Sequence, residues 1–460
     1  MFIGREEELK EIRDSLKSTK FESIMIYGRR RVGKTEIINE AIKDYNGAVI
    51  HYECKRTSSL LNLEYLGESF CHTLNIGNLK FNSFDDFFDY AFKLSIDKEY
   101  VLVIDEFSFL LDDDFSIESS LAVAIDKYKN KSKLKLIISG SYVTIMKKMI
   151  EYGSHSYGRF NHIMLIRPFD YYTSSLFYEN YSSEDKIKMY SIFGGLPYFN
   201  SLINSSISAN ENIINLIIKK DSIIEHELNE MILSETQKIS YLNDLIAILG
   251  RGTSKYSDIV AKLNQYKDAR PDYLLNKLIE MNIIKKVVPI NEKHNNKKVF
   301  YTFEDNLMHF YYKYVFNSPF SLNRANPKFF FDNFIKEDLE TQYIPKKFES
   351  IALEFLLRMN LMGKISPIIY ELGTYTFNDS KNKINRQFDV VTLDKSGYIP
   401  YECKYTNALV GIKEIREEET QVQQLNIKFY KLGFISKNGF DTNLDLSKYN
   451  CFVLKDFYNF

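Results

Sequence analysis

Tyr27-Gly28-Arg29-Arg30-Arg31-Val32-Gly33-Lys34-Thr35 is the stretch on which the fold turns. An apolar run, Ile24-Met25-Ile26-Tyr27, precedes it and reads as a short buried strand. Thr35-Glu36-Ile37-Ile38-Asn39-Glu40-Ala41-Ile42 follows with helical spacing. Strand, Gly-x4-Gly-Lys-Thr and helix in this order spell a phosphate-binding loop. Its two glycines let the backbone wrap closely around a polyphosphate, while the loop N–H groups and the helix N-terminus face the anion. Gly28, Arg29, Arg30, Arg31, Val32, Gly33, Lys34, Thr35 and Glu36 are therefore the expected nucleotide-binding residues. Lys34 would reach the β- and γ-phosphates of ATP, and the Thr35 hydroxyl would sit on Mg²⁺.

Upstream, Glu6 to Leu16 reads as an amphipathic helix with Leu9, Ile12 and Leu16 on one face. Downstream, Ala48-Val49-Ile50-His51-Tyr52 is a second strand, and two helices follow over Leu60 to Leu74 and Phe84 to Leu94. Tyr100-Val101-Leu102-Val103-Ile104-Asp105-Glu106 is a fully buried strand ending in two acids. With a phosphate loop upstream, Asp105 is the expected Mg²⁺-shell residue and Glu106 the group that polarises the attacking water. Leu134 to Ile138 and His162 to Ile166 add further strands. Strands alternating with helices predict a parallel sheet with the ligand at the strand carboxyl ends, where these acids and loops fall. Arg159 has two readings here, a nucleotide-contacting arginine or an ordinary ion-pair partner.

A chain of 460 residues exceeds one ordinary core, so about three domains are expected. A net charge of −1 confines any nucleic-acid surface to a local patch. Cys54, Cys71, Cys403 and Cys451 lie far apart without zinc-type spacing, which suits a reducing compartment. The start, Met1-Phe2-Ile3-Gly4-Arg5-Glu6-Glu7-Glu8, places acid where a secretion signal needs base. No segment approaches the roughly 20 apolar residues of a membrane span. The expectation is a cytoplasmic protein without a membrane partner.

Beyond Arg167-Pro168-Phe169 the chain turns helical, interrupted at Phe193-Gly194-Gly195-Leu196-Pro197, which by itself is a turn. From Ile239 three short helices are readable, striped by Leu242, Leu245, Ile246 and Leu249, by Ile259 and Leu263, and by Leu274, Leu275, Leu278 and Ile279. Two strands follow, Ile283 to Val288 and Val299 to Tyr301, around a polar tip from Asn291 to Lys298. Three helices and a hairpin predict a winged helix-turn-helix. Lys293, Lys297 and Lys298 on the wing suit phosphate contacts, although Asp268, Asp272 and Glu280 leave the third helix only mildly basic.

The order of these elements resembles the archaeal-type ATPases of prokaryotes, relatives of the AAA and signal-transducing (STAND-type) ATPases, over nearly the whole chain. It runs Gly4-Arg5-Glu6, the phosphate loop, Ile104-Asp105-Glu106-Phe107, Gly140-Ser141, Tyr157-Gly158-Arg159, Gly194-Gly195-Leu196-Pro197, the hairpin, then Phe310-Tyr311-Tyr312-Lys313-Tyr314. The resemblance implies that Gly4 and Arg5 lie near the adenine and that Ser141 senses the γ-phosphate. It also implies that Pro197 lets a helical lid feel the nucleotide. The implied fold is an α/β phosphate-loop ATPase core, a parallel sheet with helices on both faces, over residues 1–165. A helical lid (166–235), a winged helix-turn-helix (236–318), a linker (319–344) and a C-terminal α/β domain (345–460) complete the expected plan.

In that last domain a helix from Phe348 to Leu357 precedes two strands, Arg386 to Val391 and Tyr398 to Lys404. An acid in one strand and Glu-x-Lys in the next resemble PD-(D/E)xK nucleases, with Phe388 where the namesake proline would stand. Glu402 and Lys404 point to the same face of an extended strand. Asp389 and Glu402, joined by Glu349 on the helix, could hold Mg²⁺ through oxygen, and Lys404 would orient or deprotonate the attacking water. The helix carrying Gln423 and Gln424 supports the resemblance. The expected protein is an ATP-switched, DNA-acting enzyme, with homo-oligomer formation left open. The rival is a regulatory ATPase whose winged helix and inactive nuclease fold only bind DNA or a protein partner.

Overall fold

In the computed structural model the described residues are 2–236, 241–266, 268–293, 295, 298–316, 318, 326–379, 384–424 and 429–460. The chain divides into two units, Met1–Pro168 with Leu196–Tyr198, and Phe169–Gly195 with Phe199–Phe460.

In the first unit the apolar runs form β1 (Glu22–Tyr27), β2 (Ala48–Glu53), β3 (Tyr100–Asp105), β4 (Lys135–Gly140) and β5 (His162–Leu165). They make one sheet in the order β2-β3-β4-β1-β5, every pairing parallel. Met25, Tyr27, Leu102, Ile104, Leu136 and Ile138 share a core cluster with Phe70, Phe87, Phe88 and Phe92. Strand residues two apart share a face. The alternate set, Ile24, Ile26, Val101, Val103 and Ile137, is also buried, so both faces of the sheet are covered. Helix α1 (Glu6–Leu16) turns Leu9, Ile12 and Leu16 inward, as its spacing predicts. Helix α2 (Lys34–Ile42) begins directly at the phosphate-loop lysine.

In the second unit, helices Leu242–Gly250, Tyr256–Leu263 and Pro271–Glu280 precede an antiparallel pair, β6 (Ile284–Val287) and β7 (Phe300–Phe303). Ile239, where the first of these was expected to start, lies outside the described residues, as do Lys297 and Pro319. The stretch expected to be a linker is helical over its described part, from Pro327 through Tyr343 and straight into Ile344–Leu361. Pro327 and Pro345 punctuate no loop: Pro327 sits in the first turn of a helix, where a missing N–H costs nothing, and Pro345 follows the wider turn Leu339–Tyr343 inside the continuing helical run.

A second five-stranded sheet has the order β12-β11-β10-β9-β8. Its strands are β8 (Glu371–Asp379), β9 (Ile384–Asp394), β10 (Gly397–Lys404), β11 (Gly433–Ser436) and β12 (Asn450–Val453). Pairings β8–β9 and β9–β10 are antiparallel, while β10–β11 and β11–β12 are parallel. Of these, only β9 and β10 are read from sequence; β11 and β12 are four residues each, too short for alternation to show. Among the described residues, no helix is long and apolar enough to cross a membrane.

Candidate functional site

The phosphate loop joins β1 to α2 at the carboxyl edge of the parallel sheet. A side chain at position 28 is excluded, because its Cβ would stand 2.4 Å from the Ile166 carbonyl oxygen. Gly33 has φ +92°, the left-handed region that favours glycine, and from there the backbone enters α2. Pro197 Cγ lies 3.6 Å from where a Cβ of Gly33 would be, and the Arg31 guanidinium stacks 4.1 Å above the Tyr198 ring. Pro197 and Tyr198 thus belong to the loop's surroundings.

The Lys34 side chain is buried and its ammonium bonds the Gly28 and Arg29 carbonyls at 3.1 and 3.3 Å, 3.8 Å from Glu106 Oε1. The Thr35 hydroxyl donates to Asp105 Oδ2 at 2.6 Å. Asp105 Oδ1 accepts from the Ser139 hydroxyl and from the Glu106 N–H, and His51 Nε2 lies 3.8 Å from Oδ2. Burial works to raise the Asp105 carboxyl, but the nearby His51 imidazole, hydrogen bonds from Ser139 and Thr35 and the charge of Lys34 outweigh it and hold it at about 2. Asp105 is therefore an anion at neutral pH, facing a threonine hydroxyl, and this donor pair fits a hard divalent cation. Glu106 takes φ 54°, and its Oε2 accepts from the Ser141 N–H at 3.0 Å and the Ser141 hydroxyl at 2.6 Å. The residue expected to sense the γ-phosphate is thus hydrogen-bonded to the expected base.

The remaining expected residues of this unit fall at its edges. Arg5 bonds Glu8 at 3.2 Å and the Arg167 carbonyl, and burial lowers its guanidinium. Gly4 lies in the bend ahead of α1, and Glu36 in the first turn of α2. Arg159 meets Asp126 at 2.6 and 2.9 Å and the carbonyls of His155 and Tyr157, the ion-pair arrangement of its two readings. His51 and Ser139 went unnoticed in the sequence. Both are ordinary strand residues there, and only the adjacency of β2 and β4 to β3 brings them to Asp105.

In the second unit, Glu349, Asp389 and Glu402 come from a helix and two strands to line one cavity of about 120 Å³, with Arg386, Glu418 and Gln421. Lys404 Nζ bonds Glu402 Oε1 at 2.7 Å, as the shared strand face predicts. Burial works to lower the Lys404 ammonium, but Glu402, Glu418 and Glu414 outweigh it and raise it, so Lys404 is a cation rather than a base here. The glutamine at this cavity is Gln421, hydrogen-bonded to Arg386, whereas Gln423 is exposed. Gln424 ends the helix, and its side chain lies outside the described residues. Lys346, unremarked in the sequence, bonds Glu349 at 2.6 Å and Asp389 at 2.8 Å. Burial, then the Asp389 charge, raises the Glu349 carboxyl to about 7 against the pull of Lys346. Among the described residues no three acidic, histidine or cysteine side chains meet as a metal-ligand group.

The hairpin offers less positive charge than its lysines suggest. Lys293 pairs with Glu371, Lys298 with Glu292 at 2.7 Å, and Lys285 with Glu304 at 2.9 Å. The Asn291 amide donates to the Thr376 carbonyl at 2.8 Å and accepts from its N–H at 3.1 Å, which docks the tip on edge strand β8. Helix Pro271–Glu280 exposes Asp272, Tyr273, Asn276 and Glu280.

Two family profiles match the chain: an ATPase domain predominantly from Archaea over residues 2–201, and archaeal and bacterial proteins of unknown function over residues 311–422. An uncharacterised protein of Methanocaldococcus jannaschii is 28% identical over 377 residues, covering 82% of each chain. Among solved structures, a Walker-type ATPase of Pyrococcus abyssi is 18% identical, with 68% of this chain and 96% of that chain covered and a TM-score of 0.48. The ORC2 protein of Aeropyrum pernix, solved with ADPNP and ADP, is 12% identical over 67% of this chain and 92% of its own, with a TM-score of 0.44. The chain thus carries an ATPase domain of the archaeal type over residues 2–201 and a C-terminal match to the second family over residues 311–422.

Proposed function

We propose that the protein is an ATP-hydrolysing switch that acts on DNA through a metal-dependent phosphodiesterase site in its C-terminal domain. The observation that carries the second half is the meeting of Glu349, Asp389 and Glu402, from a helix and two strands, at one cavity, with Lys404 bonded to Glu402. In the ATPase half, the loop N–H groups and Lys34 bind the phosphates, while Thr35 and Asp105 are the residues that would hold Mg²⁺. A bound Mg²⁺ supplies neutralisation of the phosphate charge. Glu106 takes the proton of the attacking water, with Ser141 holding its carboxylate, and Gly4 and Arg5 stand toward the base. Pro197, against Gly33, relays the state of the loop into the helices that follow it. In the C-terminal half, Glu349, Asp389 and Glu402 would hold the divalent cation, and Lys404, as a cation, stabilises charge on the phosphate. Helices Leu242–Gly250 through Pro271–Glu280 with their hairpin form the winged helix that meets DNA.

The second reading, a regulatory ATPase that binds but does not cut, is favoured by two observations. The Lys346 ammonium stands between Glu349 and Asp389, and the hairpin lysines are paired with acids. A nicking assay on plasmid DNA with Mg²⁺ or Mn²⁺ decides between the two. Cutting that is lost in Lys404→Ala while ATPase activity stays supports the first reading. No cutting by the wild type in any nucleotide state supports the second.

A further inference from the structure

We infer that Ser139 is the positioning residue for both acids of the nucleotide site, a role that rests on the ATP-hydrolysis reading above. The β3–β4 ladder runs in register to Ile104 and Ile138. One residue further on, Asp105 is the last residue of β3, and on the β4 side Ser139 takes over from the ladder. Its hydroxyl donates to Asp105 Oδ1 and accepts from the Glu106 N–H at 3.3 Å, while its carbonyl accepts from the Phe107 N–H at 2.7 Å. One buried serine therefore grips three consecutive residues, using both the donor and the acceptor capacity of its hydroxyl.

The grip falls where the backbone needs it. Glu106 has φ 54°, a conformation that strains a non-glycine residue and persists only where the surroundings over-determine it. That turn sends the Asp105 and Glu106 side chains in different directions. Asp105 presents Oδ2 to Thr35 because Oδ1 is taken by Ser139 and the Glu106 N–H. Glu106 reaches Ser141, whose N–H and hydroxyl fix its far end. Ser139 thus sets the root of the Glu106 side chain and the rotation of the Asp105 carboxylate, without contacting nucleotide itself. Packing does not explain a serine here, since its neighbours on β4, Leu136, Ile137 and Ile138, are apolar and buried.

The test uses the full chain as wild type, Ser139→Ala and Ser139→Thr. Steady-state ATP hydrolysis is measured against both ATP and Mg²⁺, and nucleotide affinity is measured separately by a fluorescent ATP analogue in EDTA. Ser139→Ala is expected to lower kcat by about tenfold or more and to raise the half-saturating Mg²⁺ several-fold, with metal-free affinity within about twofold of wild type. Ser139→Thr, which keeps the hydroxyl, should recover most of kcat and the Mg²⁺ dependence. The inference is overturned if the alanine variant keeps wild-type kcat and Mg²⁺ dependence. It is equally overturned if metal-free affinity falls as far as kcat, or if threonine behaves as alanine. A wild type that turns over no ATP removes the hydrolysis reading itself, which separates that failure from the failure of Ser139 alone.

Discussion

The two sites of this chain use the same residue types, carboxylates with a lysine at strand ends, and hold them in opposite ways. Around the phosphate loop the lysine and the strand-end aspartate are buried, and their short hydrogen bonds go to hydroxyls and backbone groups, with Glu106 standing 3.8 Å from the lysine. In the C-terminal cavity Lys404 is 37% exposed and Glu402 34%, and acids and lysines satisfy one another. Neutral donors leave a charge in place for an incoming ligand. Ion pairs must be broken before a cation or a phosphate can enter, and exposed pairs are worth only about 0–1 kcal/mol. The first arrangement is built ahead of its ligand, whereas the second has to rearrange around one.

The largest effects that sharpen this contrast belong to the buried site. Lys34→Ala removes a buried cation of the loop, and ATP affinity should fall by about two orders of magnitude or more in a direct binding titration. Unchanged affinity would break the assignment of the loop. Glu106→Gln should keep ATP binding and lower turnover by roughly a hundredfold, the low end of what a positioned base contributes. If turnover survives, Glu106 is an acid of the turn and the base lies elsewhere.

The C-terminal cavity should respond in two directions. Asp389→Asn removes an oxygen ligand and is expected to weaken Mn²⁺ binding about tenfold or more by calorimetry. Lys346→Met removes a competing cation and should tighten it several-fold, because a side chain 65% exposed costs little fold stability to lose. Weakening in both variants would mean that Lys346 supports the site rather than competes for it. Gly28→Ala tests the built-ahead character of the loop from the side of stability. Its Cβ has nowhere to go beside Ile166, and overpacking of this kind costs about 1–3 kcal/mol, seen as a lowered Tm.

The same contrast governs how far each site was legible. Gly28 to Thr35 and Asp105-Glu106 are contiguous in the chain, so spacing alone carries their geometry, and α1 runs from Glu6 to Leu16 as its stripe predicts. His51, Ser139 and Lys346 carry no such mark. The first two gain their roles from strand order, which no local pattern encodes, and Lys346 gains its role from a helix meeting β9. Gln421 was passed over for Gln423 because a two-residue shift turns a helix by about 200°, and the helix phase was not fixed by the sequence. The linker expected over 319–344 is helical in its described part, and its Pro327 opens a helix, where a proline is neutral or favourable. The sequence offers Lys293 and Lys298 as phosphate contacts, but their acids are Glu371, on a strand more than 70 residues away in sequence, and Glu292.

Glu354 carries the comparison into a third place and gives its finest test. Like Asp105, it accepts from neutral donors, the Tyr171 N–H at 3.1 Å and the Tyr190 hydroxyl at 3.0 Å. Unlike Asp105, which accepts from Thr35, Ser139 and the Glu106 N–H, it has only these two donors among the described residues. Burial, with the charge of Asp170, outweighs these hydrogen bonds and the more modest pull of Lys285, and raises the carboxyl to about 7. A folded-state value above the unfolded one, about 4.3, means that the fold binds the extra proton. Its stabilising contribution is complete below pH about 4 and is lost as pH rises through about 7. At one unit per 1.36 kcal/mol, and allowing for a half-buried side chain, the loss is on the order of 2 kcal/mol. Glu354→Gln keeps an acceptor for Tyr171 or Tyr190 and carries no charge at any pH. The variant and wild type should therefore melt together near pH 5, and the variant should melt a few degrees higher at pH 8. A Tm deficit of the same size at both pH values would mean that the two hydrogen bonds alone suffice to keep Glu354 ionised. Burial would then no longer be what separates Glu354 from Asp105.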